Sequence, residues 1–484
     1  MQFKVSPWIH QRLAIEKGAA LPHLGLFMDM GVGKTATAIH LYRTKCKQEN
    51  HVLRCLVIAP GVTLHNWRRE YEMHCMVCPK VTILEGTGTK RYQTFLNNKD
   101  SKVFITAYET LLMEPMFKAL KDWRPEVLIV DESHRTKSPD AKRTQRTLDL
   151  SKLARYRYIL TGTPVLNDVR DLFTQLEILD HGKTFPTEGK TLKQKFNKFL
   201  NRYFIDLNAG MPKHKHFPMW KPKDGAIDEI RQKLNPIAVS VKKSQCLDLP
   251  PLIKQQLHVD LAPEQRRLYD SMKKDFIAYV EDEACVATLA ITKGLRLQQI
   301  VSGFVTLTSE GEEPKNVPLK DNPRAEATEE LLENICKANK CIVWAVFREN
   351  YAVLREICKR LKLGFVELHG EVAPEKRQAA IDAFNTNENI RVLIGNPSSG
   401  GIGINLVSAS YAIFYSRTFS LEADLQAEAR NYRGGSERHE KITRIDLIAK
   451  GTIDELIFNR LSEKQEIGNK VLQDIARELK NGKQ

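Results

Sequence analysis

The chain has 484 residues, 42% hydrophobic and 27% charged, which is too long for one compact core and too apolar for wholesale disorder, so two large or three smaller domains are expected. Lys and Arg total 74 against 59 Asp and Glu, and the net charge of +15 suits a polyanionic partner such as nucleic acid, although it fits a basic soluble protein as well. No run of about 18 apolar residues occurs, the start MQFKVSPWIHQR has no apolar leader core, and nine Cys without a repeating spacing fit a reducing compartment, so membrane and secreted classes are not indicated and a cytoplasmic protein is expected.

The first predicted helix, in PWIHQRLAIEK, carries Gln11 at its start. A Gln amide both donates and accepts, which matches the adenine edge and would favour ATP over GTP, though a surface helix residue has the same appearance. LGLFM then reads as a strand and TATAIHLY as a helix, with MDMGVGKT joining them. A phosphate cradle needs a tight turn of inward-facing amides, a lysine for the β- and γ-phosphates and a hydroxyl for magnesium. Gly31, Gly33, Lys34 and Thr35 supply these, although Met28 stands where a full phosphate-loop pattern has its first glycine.

Next come RCLVIAP and HNWRREYEMH, then Cys75 and Cys78 in a lone C-x-x-C preceded by His74. A structural zinc needs a second ligand pair at similar spacing, and none is present, so these read as buried or half-buried thiols. KVFITAYETL and VLIVDESH continue the alternation of short apolar runs with helical patterns, which predicts a parallel sheet with crossover helices. In VLIVDESH the apolar run Val127 to Val130 ends at Asp131 and Glu132. An acidic pair at the end of a buried strand is costly unless it holds a cation or a water, which assigns Asp131 to magnesium and Glu132 to the attacking water.

From about Asp171 to Glu333 the strand signal gives way to longer polar and helical stretches, expected to be helical additions to the lobes. In TLKQKFNKFLNRYF the spacing of Phe196, Phe199 and Tyr203 fits a helix packed on its lobe, which leaves the lysines for DNA. Pro250 and Pro251 continue neither a helix nor a central strand and mark the linker. The alternation returns in KCIVWAVF, FVELHG, RVLIGN and YAIFYS as a second lobe. In QAEARNYRGGS, Arg430 and Arg433 share one face if the segment is helical, and from the second lobe they can reach a γ-phosphate across a cleft. TIDELIFNRLSEK opens a closing helix with Thr452 as N-cap and Glu455 three residues on.

Taken together, these stretches resemble the Snf2 family of superfamily 2 helicase-like ATPases, of the DExH-box type. The family's loop is commonly D-E-M-G-L-G-K-T, so Met28 conforms. LVIAPGVTLHNW resembles motif Ia, VFITAYETL motif Ic, DESH motif II, LTGTP (Leu160 to Pro164) motif III, KCIVWAVF motif IV, SSGGIGINLVSAS motif V and QAEARNYRGGS motif VI. Motif VI ends here in Gly434, Gly435 and Ser436 in place of R-I-G-Q, SRTFSL replaces W-N-P, and Lys242 and Lys243 replace a double Arg, which looks like compact bacteriophage or bacterial members.

The resemblance implies an α/β fold of two RecA-like lobes with an interlobe nucleotide cleft. The first would span 1–243 with a helical insertion near 171–235. The second would span 244–484 with the linker, an insertion near 260–335 and a C-terminal brace helix. It implies ATP and Mg2+ as cofactors, Lys34, Asp131, Glu132, Arg430 and Arg433 as catalytic residues, and Gly403 alongside Gln11 and the loop residues in nucleotide binding. Double-stranded or branched DNA would be the track of a monomeric translocase in repair or recombination, with a protein partner for targeting. A motor must not read sequence, and phosphate contacts carry none; Thr106, Ser398, Ser399 and the amides of Gly400 and Gly401 suit them, unless these glycines only make a turn. Two other readings stay open: a strand-separating helicase, and an ATP-gated binding switch with little turnover.

Overall fold

The computed structural model describes residues 4–75, 77–165, 168–211, 218–246, 248–281, 287–307, 314–398 and 404–466. The chain divides into two compact units, one built on Met1–Leu247 and the other on Asp248–Glu463.

The first unit is a parallel sheet of seven strands: β1 (His23–Met28), β2 (Cys55–Ala59), β3 (Val81–Leu84), β4 (Val103–Ala107), β5 (Val127–Asp131), β6 (Tyr156–Thr161) and a late strand, Ala238–Val241. A small antiparallel hairpin of β7 (Phe204–Asp206) and β8 (Trp220–Pro222) precedes that late strand, which is therefore β9. The sheet order is β3-β4-β2-β5-β6-β1-β9. Both faces are covered, which is why the strands read as unbroken apolar runs. Leu56, Ile58, Leu128 and Val130 enter one core, while Val57, Ala59, Val127 and Ile129 enter the other. Helix α1 (Ile9–Ala20) precedes β1, and the crossover helices include α2 (Lys34–Gln48) and α3 (Leu64–His74).

The second unit is a six-stranded parallel sheet of β10 (Leu252–Val259), β13 (Cys341–Trp344), β14 (Gly364–Leu368), β15 (Ile390–Gly395), β16 (Tyr411–Phe414) and β17 (Ile442–Ala449), in the order β10-β17-β16-β13-β15-β14. The remaining pair, β11 (Phe304–Leu307) and β12 (Lys315–Pro318), forms a separate antiparallel hairpin. Cys341 and Val343 pack on one face of this sheet and Ile342 and Trp344 on the other.

Three stretches expected to be linker or helical insertion contain strands. β10 starts directly after Pro251 and pairs with β17 along its whole length. It is an edge strand, largely exposed, so LIKQQLHV lacks the apolar alternation that marks a half-buried strand. Hairpins sit in both insertions beside the expected helices. The insertion helix Leu192–Tyr203 packs as its spacing predicts: Phe199 and Tyr203 are buried, and Phe199 meets Phe173 and Phe185 at ring-centre distances of 5.0 Å and 4.9 Å. Cys75 is buried and Cys78 exposed, both as free thiols, and among the described residues no group of His, Cys, Asp or Glu converges as a metal cage.

Candidate nucleotide-binding site

Strands β5, β6 and β1 are neighbours in the sheet, and parallel pairing brings their C-terminal ends together. Each end delivers one part of the candidate site, since open α/β sheets place their ligands outside the carboxyl edge.

From β1 the chain turns through residues 29–33 into α2. Gly31 and Gly33 hold φ of +85° and +82°, the left-handed region that a Cβ disfavours, and Gly33 caps the helix whose first two residues are Lys34 and Thr35. The helix amides therefore open toward the loop, where the helix dipole favours an anion. Lys34 Nζ crosses the mouth of this turn, donating to Met28 O at 2.9 Å and Asp29 O at 3.2 Å. Gln11 lies underneath: its Oε1 receives Trp8 N–H at 2.8 Å and its Nε2 donates to Gly33 O at 3.4 Å. Its amide is thus spent on the loop backbone and on the start of its own helix, and the expected adenine contact needs those bonds to be exchanged.

From β5 come Asp131 and Glu132, with relative exposures of 6% and 2%. Asp131 Oδ1 accepts the Glu132 N–H at 3.0 Å and Oδ2 accepts the Trp67 indole N–H at 2.9 Å. Burial, and then the neighbouring Glu132, push the Asp131 carboxyl up to about 6, while Trp67 and the Lys34 charge pull the other way. Glu132 is the strained member, at φ +49°. A non-glycine residue held there costs about 1–3 kcal/mol and needs surroundings that enforce it. Tyr108 provides them by donating to Asp131 O at 2.6 Å, with Glu132 O at 3.4 Å. Glu132 Oε2 is buried 3.4 Å from His134 Nδ1 and accepts no hydrogen bond from the described residues.

From β6 comes LTGTP. His134 Nδ1 and Thr161 Oγ1 are 3.0 Å apart, Thr161 Oγ1 also accepts Thr163 N–H at 3.0 Å, and Gln175 bridges Ser133 Oγ (2.7 Å) to Pro164 O (2.9 Å). Gly162 sits where a Cβ would fall 3.3 Å from Met28 O and 3.6 Å from Lys34 Nζ, so this segment is packed against the phosphate loop.

The donor set fits magnesium. Two buried carboxylates side by side are costly without a cation, one Glu132 oxygen is buried without a hydrogen-bond partner among the described residues, and the oxygens of Asp131 and the Thr35 hydroxyl are hard ligands. Magnesium keeps several waters and takes one or two carboxylates plus phosphate oxygens, a set that Asp131 and Thr35 can complete.

In the second unit, the helix Leu421–Glu428 ends before the expected arginine pair, so Arg430 and Arg433 lie in the turn that follows and do not share a helical face. Arg430 is buried, and its carbonyl accepts Leu406 N–H at 3.0 Å, while Arg433 Nη1 donates to Ile404 O at 3.1 Å. Asn431 Nδ2 donates to Ala409 O at 3.2 Å. The turn thus grips residues 404–409 along their backbone. Ser398 is exposed just beyond β15, its N–H on Asn396 Oδ1 at 2.8 Å. Ser399, Gly400, Gly401 and Gly403 lie outside the described residues. Thr106, expected to meet a phosphate, instead sits inside β4 with a fully buried hydroxyl that has no hydrogen-bond partner among the described residues. Its place near the strand end is as expected, but the strand pairs on both sides there, with Ile58 and Leu84, and the side chain faces the interior.

Sequence reasoning missed Trp67 and Tyr108, whose polar atoms hold the acidic pair. The signal was present as an indole on the helix after the second strand and a phenol just after the fourth, because such groups seek a partner when buried.

A model of the SNF2-related domain matches residues 19–307, and one of the helicase conserved C-terminal domain matches 324–435. The chain is similar to chromodomain-helicase-DNA-binding protein 1-like of Danio rerio, at 26% identity over 92% of this chain and 41% of that protein. It is also similar to the DNA repair and recombination protein RAD54B of Mus musculus, at 24% identity over 92% of this chain and 53% of that one. The chain spans about half the length, or less, of these curated relatives. A solved structure of the Sulfolobus solfataricus SWI2/SNF2 ATPase core in complex with dsDNA aligns over 98% of this chain and 94% of its own at 23% identity and a TM-score of 0.44.

Proposed function

The chain belongs to the SNF2-related domain family, and from that premise we propose that it hydrolyses ATP to move along, or remodel, double-stranded DNA. The observation that carries this reading is the meeting of a left-handed glycine loop, a lysine and a buried acidic pair at the ends of three adjacent parallel strands.

In this reading the amides after Gly31 and Gly33 cradle the phosphates and Lys34 draws the β- and γ-phosphates to the mouth of α2. Thr35 and Asp131 would hold magnesium, which would supply positive charge beside the phosphate oxygens. Glu132, with a carboxylate oxygen left open, orients the attacking water. Arg430 and Arg433, carried on the second unit, are the groups that would stabilise the charge developing on the γ-phosphate. Duplex contacts run to phosphates from the first and second units alike, and alternating grips driven by the nucleotide produce stepping along one strand. Forked or branched duplexes are within this substrate class.

ATP turnover measured with duplex, single-stranded, forked and four-way DNA tests the reading. Stimulation by duplex above single strands is the expected result. Tight ATP-dependent DNA binding without turnover would make the protein a switch and overturn it. Displacement of a paired strand, in place of a third strand bound in the groove, would make it a helicase.

A further inference from the structure

Asp131 is held from three directions. The Trp67 indole N–H reaches its Oδ2 at 2.9 Å, the Glu132 N–H its Oδ1 at 3.0 Å and the Tyr108 hydroxyl its main-chain carbonyl at 2.6 Å. Trp67 and Tyr108 are each 1% exposed, and neither belongs to β5. Trp67 projects from α3, which follows β2, and Tyr108 follows β4 directly. A buried indole needs an acceptor, and any carbonyl would satisfy it. This one is satisfied by the very carboxylate that the donor set offers to magnesium, and Trp67 meets Tyr71 at 6.4 Å within a core that fixes its ring.

A carboxylate has about four lone-pair positions. One hydrogen bond on each oxygen sets the plane of the group and leaves one position per oxygen for other ligands. Tyr108 meanwhile fixes the peptide carbonyl that leads into the left-handed turn at Glu132. Without the indole, Asp131 can rotate about its terminal bond and Oδ2 loses its only described side-chain donor.

We propose that Trp67, seconded by Tyr108, is a positioning residue for the catalytic metal: its indole N–H aims the Asp131 carboxylate, so that the affinity for magnesium, and not that for the nucleotide alone, depends on it. The inference rests on the nucleotide-site reading above and goes beyond it by assigning a role outside the loop and the acidic box. Outer partners of metal ligands commonly set metal affinity by about 10-fold to 100-fold.

The test measures binding of a fluorescent ADP analogue to the full chain, first in EDTA and then across a magnesium titration. For Trp67→Phe the affinity in EDTA should stay within about twofold of wild type, while the magnesium concentration giving half-maximal tightening should rise at least about tenfold. Tyr108→Phe, which keeps the ring volume, should shift it in the same direction, and the double variant should fall short of the product of the two, because both act on one group. The indole emission should also change with magnesium and ADP in wild type and lose that component in Trp67→Phe. An unchanged magnesium midpoint in both single variants overturns the assignment, and so does equal weakening in EDTA and in magnesium. If Trp67→Phe does not fold, as circular dichroism reports, Tyr108→Phe and the wild-type emission decide alone. Failure of wild type to bind the analogue at all would instead strike the nucleotide-site reading, so the two failures are distinguishable.

Discussion

Gln11 and Gly33 touch across the base of the phosphate loop: a methyl group on Gly33 would fall 2.0 Å from Gln11 Nε2. The first turn of α1 and the last residue of the loop are therefore one packed unit, and neither can be altered without the other responding.

Gly33→Ala should weaken ATP binding by about tenfold or more. Its φ of +82° costs an L-residue about 1–2 kcal/mol, and about 1.4 kcal/mol corresponds to tenfold. Adding Gln11→Ala removes the clash but not the backbone strain, so calorimetric titration should find only partial recovery in the double variant. Complete recovery would show that the left-handed turn is not required.

Lys34→Ala should abolish measurable ATP binding. Glu132→Gln should bind ATP and lose turnover by about 100-fold to 10,000-fold, the range that a positioned acid or base supplies. Filter binding together with phosphate release separates the two outcomes, and near-normal turnover by Glu132→Gln would remove it from the water-orienting role.

Gly162→Ala places a methyl 3.3 Å from a backbone oxygen of the loop strand and 3.6 Å from Lys34 Nζ. The backbone must give by a few tenths of an ångström, so the fold should persist while ATP binding weakens by severalfold. A variant with unaltered ATP affinity would uncouple LTGTP from the loop.

Arg433→Ala should retain ATP and hydrolyse it slowly, with a loss of about 1,000-fold if the guanidinium serves as a finger. The substitution also removes the bond to Ile404 O, so Arg433→Lys is the companion. Near-normal duplex-stimulated turnover in Arg433→Ala takes the residue out of that role.

Stability should fall with acid through a site remote from the chemistry. His40 is fully buried, its ring centre 5.2 Å from that of His74, and burial, then His74 and Arg43, push its pKa down to about 4. Unfolded His titrates near 6.5, so between these values the unfolded chain binds the extra proton and stability declines as pH drops from 6.5 toward 4. Thermal melts of wild type and His40→Gln across that window check it: the slope contributed by His40 should vanish in the variant.

Much of this was legible in the residues. The apolar strands of both sheets announced themselves because both faces are buried, and the loop and acidic box did so because glycines and carboxylates are costly anywhere else. What escaped was of two kinds. β9 and β10 both lie at sheet edges: β10 is largely exposed, so LIKQQLHV carries no periodic signature, while β9 is wholly buried but only four residues long, too short for AVSV to show one. Thr106 and Tyr108 depend on which way a side chain points at a strand end, and Trp67 on which way one points from α3, and both are settled by partners distant in the chain. The assumption of a helix carrying both Arg430 and Arg433 failed because the helix stops at Glu428, where the chain turns to follow residues 404–409.

The pairing of β9 beside β1 also governs how the protein can be made. Gly25 to Met28 stand against Ala238 to Val241, and the Lys243 N–H reaches Asp29 Oδ2 across a separation of 214 residues. A ribosome must therefore deliver the whole of the first insertion before the flank of the loop-bearing strand is sealed. Until then that flank presents a row of unsatisfied amides and carbonyls to any neighbouring strand, so chains cut short ahead of residue 238 are the ones expected to clump.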